Sequence, residues 1–395
     1  MKYSKSLVIF TSVLLLSSLT PLMAKNLSIQ TRQNNIDYSG KIALTRDHSQ
    51  AKIQIAILLD SSNSMDGLID QTRTQIWKIV NALTEVTKNG KTPILEVSLY
   101  HYGNDSLPSS EGFNRLLSNF TPELDPVSEQ LFSIKTNGGQ EYAGWVINSA
   151  MNQLNWSENP EDFRVIFIAG NEPFNQGNIE WEKSVKLATD KDVIVNTIYC
   201  GYAENEESRL WAQGATGGKG SYFNINQDEK IVSIPTPYDA EIAELNQKLN
   251  QTYIPYGSQG YIGQQRQAVE DSNAQSNSIS GAPLSRAITK SSEYYRNSSW
   301  DLIDALTDNI VSLETINNND LPQNMRSMTL EQKKQYIENK KAERREIQRK
   351  IAELSQKRTE YIQKQSINQS SKDTLDYVMI DALRKQLAAK GFILN

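Results

Sequence analysis

The chain has 395 residues, is 38% apolar and 22% charged, and carries a net charge of −5. It is too long for one typical domain and polar enough that part of it should lie outside a single core, while its acidic balance disfavours nucleic acid as the main partner. One cysteine, Cys200, excludes an intrachain disulfide, and two histidines, His48 and His101, leave little material for a histidine triad or zinc site.

Residues 1–24 read as an export signal. Lys2 and Lys5 precede an apolar run from Leu7 to Leu16, and Leu22-Met23-Ala24 offers a small residue at the cleavage position. The run is short for a bilayer span, which needs about 20 residues, and no later segment is apolar enough to cross a membrane. The expected location is therefore the periplasm or outside the cell, with an uncleaved anchor as the alternative. Residues 25–49 form a polar lead-in, with an edge strand expected at Ser39–Leu44.

The central stretch is Ile53-Gln54-Ile55-Ala56-Ile57-Leu58-Leu59-Asp60-Ser61-Ser62-Asn63-Ser64-Met65. An apolar run of this length suits a strand buried on both faces of a parallel sheet. Asp60 then stands at the strand's carboxyl end, where open α/β sheets place ligands. Gly67–Lys88 has helical spacing, and Ile94–Tyr102 reads as a strand. Gly103–Pro126 is polar with weak pattern, and Val127–Ile134 is a short helix. The loop Thr136-Asn137-Gly138-Gly139-Gln140-Glu141 opens onto a helix carrying Ala143, Val146, Ile147, Ala150, Met151 and Leu154.

A second fully apolar strand, Arg164–Ala169, ends in Gly170-Asn171-Glu172-Pro173. Helices near Ile179–Thr189 and Glu206–Ala212 flank a strand at Val193–Tyr199 that leads into Cys200, which is expected to be buried. A last strand at Tyr222–Ile225 and a helix at Asp239–Tyr253 complete the unit. Strands alternating with helices over residues 50–254 predict a doubly wound, mostly parallel α/β sheet.

Residues 255–283 are rich in Gly, Ser, Gln and Asn and read as a linker. Residues 284–395 read as a helical C-terminal region: Leu284–Tyr295, Trp300–Leu313, a long charged helix at Leu330–Lys364, and a final amphipathic helix from Asp373 to Gly391. The long helix is locally basic. Its coiled-coil-like seam of Ile337, Ile347, Ile351, Leu354 and Tyr361 is interrupted by Arg344 and Arg358. So narrow a seam suggests pairing with another helix, such as the last one or that of a second copy.

Asp60, Ser62 and Ser64 offer a carboxylate and two hydroxyls, hard oxygen donors suited to Mg2+, with Mn2+ or Ca2+ as alternatives. The strand followed by Asp60-Xaa-Ser62-Xaa-Ser64 resembles the metal-binding motif of von Willebrand factor type A domains, the fold shared with integrin inserted domains. The resemblance covers about residues 50–255. Ser64-Met65-Asp66-Gly67-Leu68, Gly138-Gly139-Gln140-Glu141-Tyr142 and Ala169-Gly170-Asn171-Glu172-Pro173-Phe174 are similar to an exported bacterial subgroup of that fold. The resemblance implies a cation held by Asp60, Ser62 and Ser64 and completed by a carboxylate of a protein ligand. It also implies a threonine and an aspartate from two further loops, where Gln140 and Gly170 stand instead. Glu141 and Glu172, one and two positions further on, are the substitute metal-ligand candidates.

Other readings accompany this one. Asp60, Ser62 and Ser64 also suit a helix cap, and Glu141 and Glu172 suit a first helical turn or a solvated loop. A metal-independent envelope scaffold is the second function class. A phosphatase of the haloacid dehalogenase type is a third, but it needs a second aspartate where Ser62 stands, so catalysis is not expected. Gly217-Gly218-Lys219-Gly220 lacks the spacing of a phosphate-binding loop.

Overall fold

The computed structural model describes residues 50–84, 86–225, 233–276, 281–365 and 375–394. The export signal and the expected strand at Ser39–Leu44 lie outside them. Among the described residues no helix is long and apolar enough to cross a membrane.

The strand Ile53–Leu59 is realised as β1 (Lys52–Asp60), buried along almost its whole length. Its odd-numbered side chains face one apolar layer and Ala56 and Leu58 face another, as a parallel strand covered on both faces requires. β1 pairs in parallel with β3 (Ile94–Tyr102) on one side and β5 (Phe163–Gly170) on the other. With β4 (Asn114–Thr121), β6 (Ile194–Tyr199) and β7 (Lys219–Asn224), it makes a six-stranded sheet of order β4-β3-β1-β5-β6-β7. β2 is the short strand Val86–Thr87.

Only β4 runs antiparallel, a hairpin partner of β3. It lies inside the stretch 103–126 that read as polar with weak pattern. Its residues are mostly half-buried at the sheet edge, so the alternation that marks a strand is weak there.

Helix α1 (Asp66–Leu83) and α2 (Leu124–Ser133) cover one face. α3 (Ala143–Gln153), α4 (Trp181–Asp190) and α5 (Glu206–Gly217) cover the other. The chain leaves β1 toward β3 and later returns to its opposite side at β5. The carboxyl ends of β1 and its neighbours are thus the topological switch point, where a doubly wound sheet opens a crevice. Cys200 is a free, buried thiol just past β6.

The C-terminal region departs from expectation in three places. Residues 255–283, expected as a linker, carry the helix α7 (Gly260–Ser276), between α6 (Asp239–Asn250) and α8 (Ala282–Lys290). The inward face of α7 is Gly263, Gln267, Glu270 and Ala274, so its low apolar content did not mean solvation. Gln267 donates to Tyr295 Oη at 3.2 Å, and Glu270 accepts from Ser128 of α2. Arg286 of α8 is 1% exposed and pairs with Asp125 of α2 and Asp271 of α7, both at 2.6 Å.

The second departure is the seam of the long helix. α9 is the short helix Leu302–Thr307, and α10 spans Leu330–Gln365. The apolar residues Ile347, Ile351 and Leu354 of α10 pack on α6, α8, Tyr253 and Trp300, so the seam is filled within the chain. The interrupting arginines are anchors. Arg344 bonds Asp301, Asp304 and the Thr252 carbonyl, and Arg358 reaches Asp239 and Ser233.

The third is the last helix. α11 (Leu375–Ala389) does not pair with α10 but returns to the sheet. Leu383, Leu387 and Phe392 are buried in the layer formed by α1 and β1. Gln386 and Asn196 of β6 exchange amide hydrogen bonds at 2.8 and 3.1 Å. β8 (Ile393–Leu394) pairs with β2.

Leu387 is fully buried against a sheet more than a hundred residues away in sequence. Leu387→Ala should therefore destabilise the whole unit by about 2–5 kcal/mol, the usual cost of such a cavity. In urea denaturation it should shift one cooperative transition to lower denaturant. An unmoved sheet transition would show that α11 is energetically separate.

Candidate metal and ligand site

Three loops meet at the carboxyl ends of β1, β3 and β5. Asp60, the last residue of β1, is fully buried, and its Oδ1 accepts the Ser62 backbone N–H at 2.8 Å. That contact turns the chain sharply and brings the Ser62 and Ser64 hydroxyls within 3.0 Å of one another. Ser64 in turn donates to Asn171 Oδ1 in the loop after β5 at 3.2 Å. Ser62, the N-cap of the Asn63–Met65 helical turn, makes no side-chain capping bond, and the N-cap of α1 is Met65. Ser62 is thus free of the helix-capping role that its sequence position also allowed.

Glu141, just before α3, is buried, with its side chain and that of Asp60 both against Gly103. Asp60 Oδ2 and Glu141 Oε2 have no hydrogen-bond partner among the described residues. Burial raises both carboxyls, Asp60 to about 7 and Glu141 to about 9, with the Asp60 and Glu172 charges adding to the rise of Glu141. Two desolvated carboxyls this close cannot both ionise without a counter-charge, so near neutral pH they hold a proton between them.

Glu172 is placed differently. Its side chain is exposed in the loop after β5 and accepts from Gln176 Nε2 at 3.1 Å, while Gln176 Oε1 accepts the Glu141 N–H at 3.2 Å. Asp60, Ser62 and Glu141 therefore form the floor, and Ser64, Asn171 and Glu172 the rim.

The two departures from the family pattern have different physical origins. At Gly170 a Cβ would lie 2.6 Å from Tyr102 Oη and 3.0 Å from the Trp211 ring, so no aspartate fits there. Tyr102 donates to the Ala169 carbonyl and Trp211 to the Glu172 carbonyl, which fixes both blocking rings. At Gln140 the side chain is exposed to solvent. Thr136, earlier in the same loop, bonds Asp66 at the start of α1 instead.

Sequence reading missed several residues that hold the site. Gly103 follows β3 with φ +71°, and a Cβ there would come within 2.7 Å of Asp60 Oδ1 and 2.6 Å of Glu141 Cγ. Its absent side chain is what lets the two carboxyls approach. Asn104, 1% exposed, donates to the Ser61 and Lys135 carbonyls at 3.1 and 3.0 Å and so ties the β1, β3 and α2–α3 loops together. The Gly103-Asn104-Asp105 turn after a strand was the available signal. Asn171 and Gln176 carried none, because a lone amide in a loop is unremarkable until its neighbours are known. Buried His101 meets Ser61 Oγ at 3.1 Å through Nδ1, and burial lowers its pKa to about 4.

The donor set is oxygen only, which suits a hard divalent cation and not zinc-type nitrogen or sulfur ligation. Among the described residues no three His, Cys, Asp or Glu side chains converge as ligands, so such an ion would depend on the serine hydroxyls as well.

The raised carboxyls set a sign for stability. The native state binds more protons than the unfolded chain between the ordinary carboxylate range and about pH 9, so stability falls as pH rises through that window. In chelator-containing buffer the urea midpoint should drop from about pH 5 to about pH 9, and Glu141→Gln should flatten the drop. An equally steep profile in the variant would place the titration elsewhere.

No protein-family model matches the sequence, and no curated protein matches it. Solved structures similar to it include proximal thread matrix protein 1 of the mussel byssus with a zinc-occupied MIDAS motif. The identity is 13% and the TM-score 0.35, over 46% of this chain and 43% of that one. The SpRpn10 VWA domain is 18% identical with a TM-score of 0.34, over 46% of this chain and 91% of that one. A von Willebrand factor type A protein from Catenulispora acidiphila is 12% identical with a TM-score of 0.33, over 45% of this chain and 39% of that one. The chain thus spans less than half of the mussel protein it matches. These likenesses say nothing of activity. The structure itself shows a mostly parallel α/β sheet of order β4-β3-β1-β5-β6-β7 with the Asp60-Ser62-Ser64 turn at its switch point, and the resemblance to von Willebrand factor type A domains is one of fold.

Proposed function

We propose that this chain is an exported binding module, not a catalyst, and that it captures a protein partner through a divalent cation. Asp60, Ser62 and Ser64 would hold the ion, with Glu141 beside the place of the absent threonine and Glu172, at the rim, near that of the absent aspartate. The observation that carries the reading is the pair of buried carboxylate oxygens, Asp60 Oδ2 and Glu141 Oε2, left without partners beside two serine hydroxyls. Buried polar atoms are almost always bonded, and an unsatisfied pair of like-charged acceptors is what a cation relieves. Mg2+ is the first candidate, with Mn2+ and Ca2+ as alternatives. When bound, the ion would supply an electrophilic point for a partner's carboxylate, since serine hydroxyls donate oxygen without neutralising its charge.

A second reading is favoured by the same two carboxyls. A single proton can satisfy them in place of a metal, and Gly170 and Gln140 bring no further ligand. On that reading the loops form a metal-independent surface of an envelope scaffold.

Calorimetric titration with Mg2+, Mn2+ and Ca2+ separates the two. The wild type should bind one ion with release of a proton, because the cation displaces the one shared by Asp60 and Glu141. Asp60→Asn and Ser64→Ala should each weaken binding about tenfold or more. A wild type that takes up no ion, and captures envelope proteins equally with and without chelator, would establish the scaffold reading instead.

A further inference from the structure

Away from the sheet, the ends of three helices bring together a lysine, an asparagine and an aspartate. Lys290 closes α8, Asn250 closes α6, and Asp271 lies on α7. Lys290 is 0% exposed, and its Nζ bonds Asn250 Oδ1 directly. The same Nζ lies 2.9 and 3.1 Å from the two Asp271 oxygens. Asn250 Nδ2 donates to Asp271 Oδ2 at 2.7 Å. One carboxylate therefore touches both the amine and the amide nitrogen that would have to exchange protons.

The amine itself is shut off from solvent, while Asp271 keeps 18% of its side chain exposed. The Tyr295 ring lies 5.9 Å from Lys290 Nζ, and Arg286, stacked on Trp77, donates to Asp271 Oδ1 at 2.6 Å. Lys290 is fully buried, ion-paired with Asp271 and held at the same time against the Asn250 amide carbonyl.

We infer that Lys290 and Asn250 condense into an intramolecular isopeptide cross-link, with Asp271 as the catalytic proton carrier. Burial lowers the Lys290 amine to about 8 despite the neighbouring carboxylate, which brings its free-base form within reach near neutral pH. Burial alone would raise the Asp271 carboxyl, yet Lys290 and Arg286 hold it well below the usual carboxylate range, so it begins as the base.

Asp271 takes one proton from the Lys290 ammonium. The freed Nζ lone pair attacks Asn250 Cγ and forms the new N–C bond. The tetrahedral carbon then collapses with cleavage of Cγ–Nδ2, and that nitrogen takes the proton back from Asp271. A second proton, from the attacking nitrogen, completes ammonium as the leaving product. Lysine ammonium plus carboxamide thus becomes a secondary amide plus ammonium, with no oxidant or co-reactant. Proximity supplies the driving geometry: the reacting groups are fixed together by three helices that the fold already packs. The product would tie α6 to α8 covalently, closing the segment that includes α7.

The test reads covalent mass on the denatured full chain. The wild type should be lighter than its sequence by one ammonia. Trypsin should release a branched peptide joining the segments of Asn250 and Lys290, with no cleavage after Lys290. Asn250→Ala, Lys290→Met and Asp271→Asn should carry their full sequence masses and give linear peptides. The peptide map of the wild type decides the matter whether or not a variant folds and whatever happens at the amino terminus. Linear peptides from both segments, with cleavage after Lys290, would overturn the inference.

Discussion

Asp60 is the last residue of the strand on which the sheet is centred, and its carboxylate is wholly removed from water beside a second buried carboxyl. An unpaired buried charge is too costly for a fold to keep, so the surrounding loops are arranged to limit it. One Asp60 oxygen takes the Ser62 N–H, burial beside Asp60 pushes the Glu141 carboxyl up, and Asn104 locks the loops that enclose them. The shape of the turn, the closeness of Ser62 and Ser64, and the need for Gly103 all follow from placing that carboxylate there. A site with two unsatisfied oxygens stores a preference for positive charge, whether a proton or a metal ion meets it.

The rest of the chain adds buried ion pairs to its apolar packing. Beyond residue 254 apolar clusters are joined by buried ion pairs that help organise the helices: Arg286 with Asp125 and Asp271, and Arg344 with Asp301 and Asp304. Each arginine presents its planar fork to two carboxylates and lies over an aromatic ring, Trp77 or Tyr253. Such groups offset one another's desolvation only when the geometry is complete, so they specify one packing of the helices more sharply than a greasy seam would. Asp125 belongs to α2, so this network also joins the C-terminal helices to the sheet unit that carries the site.

Much of the architecture was legible in the sequence because burial on both faces leaves a continuous apolar run. Ile53–Leu59 and Val165–Ala169 are such runs, and the intervening helices carry apolar residues at helical spacing. Asp60, Ser62 and Ser64 were legible because they are close in sequence, and local turns place local side chains. β4 was not legible, because an edge strand need not alternate clearly. α7 was not legible either, since it buries Gln267 and Glu270 and exposes Tyr261 and Val269, the reverse of the usual pattern.

By itself, the sequence determined a mostly parallel α/β sheet with an aspartate and two serines at the end of its central strand. The strand pattern and the Asp-Xaa-Ser-Xaa-Ser spacing are local properties, fixed by burial and by the reach of a single turn. Only the tertiary structure decided that Glu141 comes to lie against Asp60 while Glu172 stays at the rim. It also decided that Tyr102 and Trp211 forbid an aspartate at position 170, and that the last helix returns to cover the sheet. Each of these depends on which distant segments share one volume, and side-chain volume and charge are satisfied in space, not along the chain.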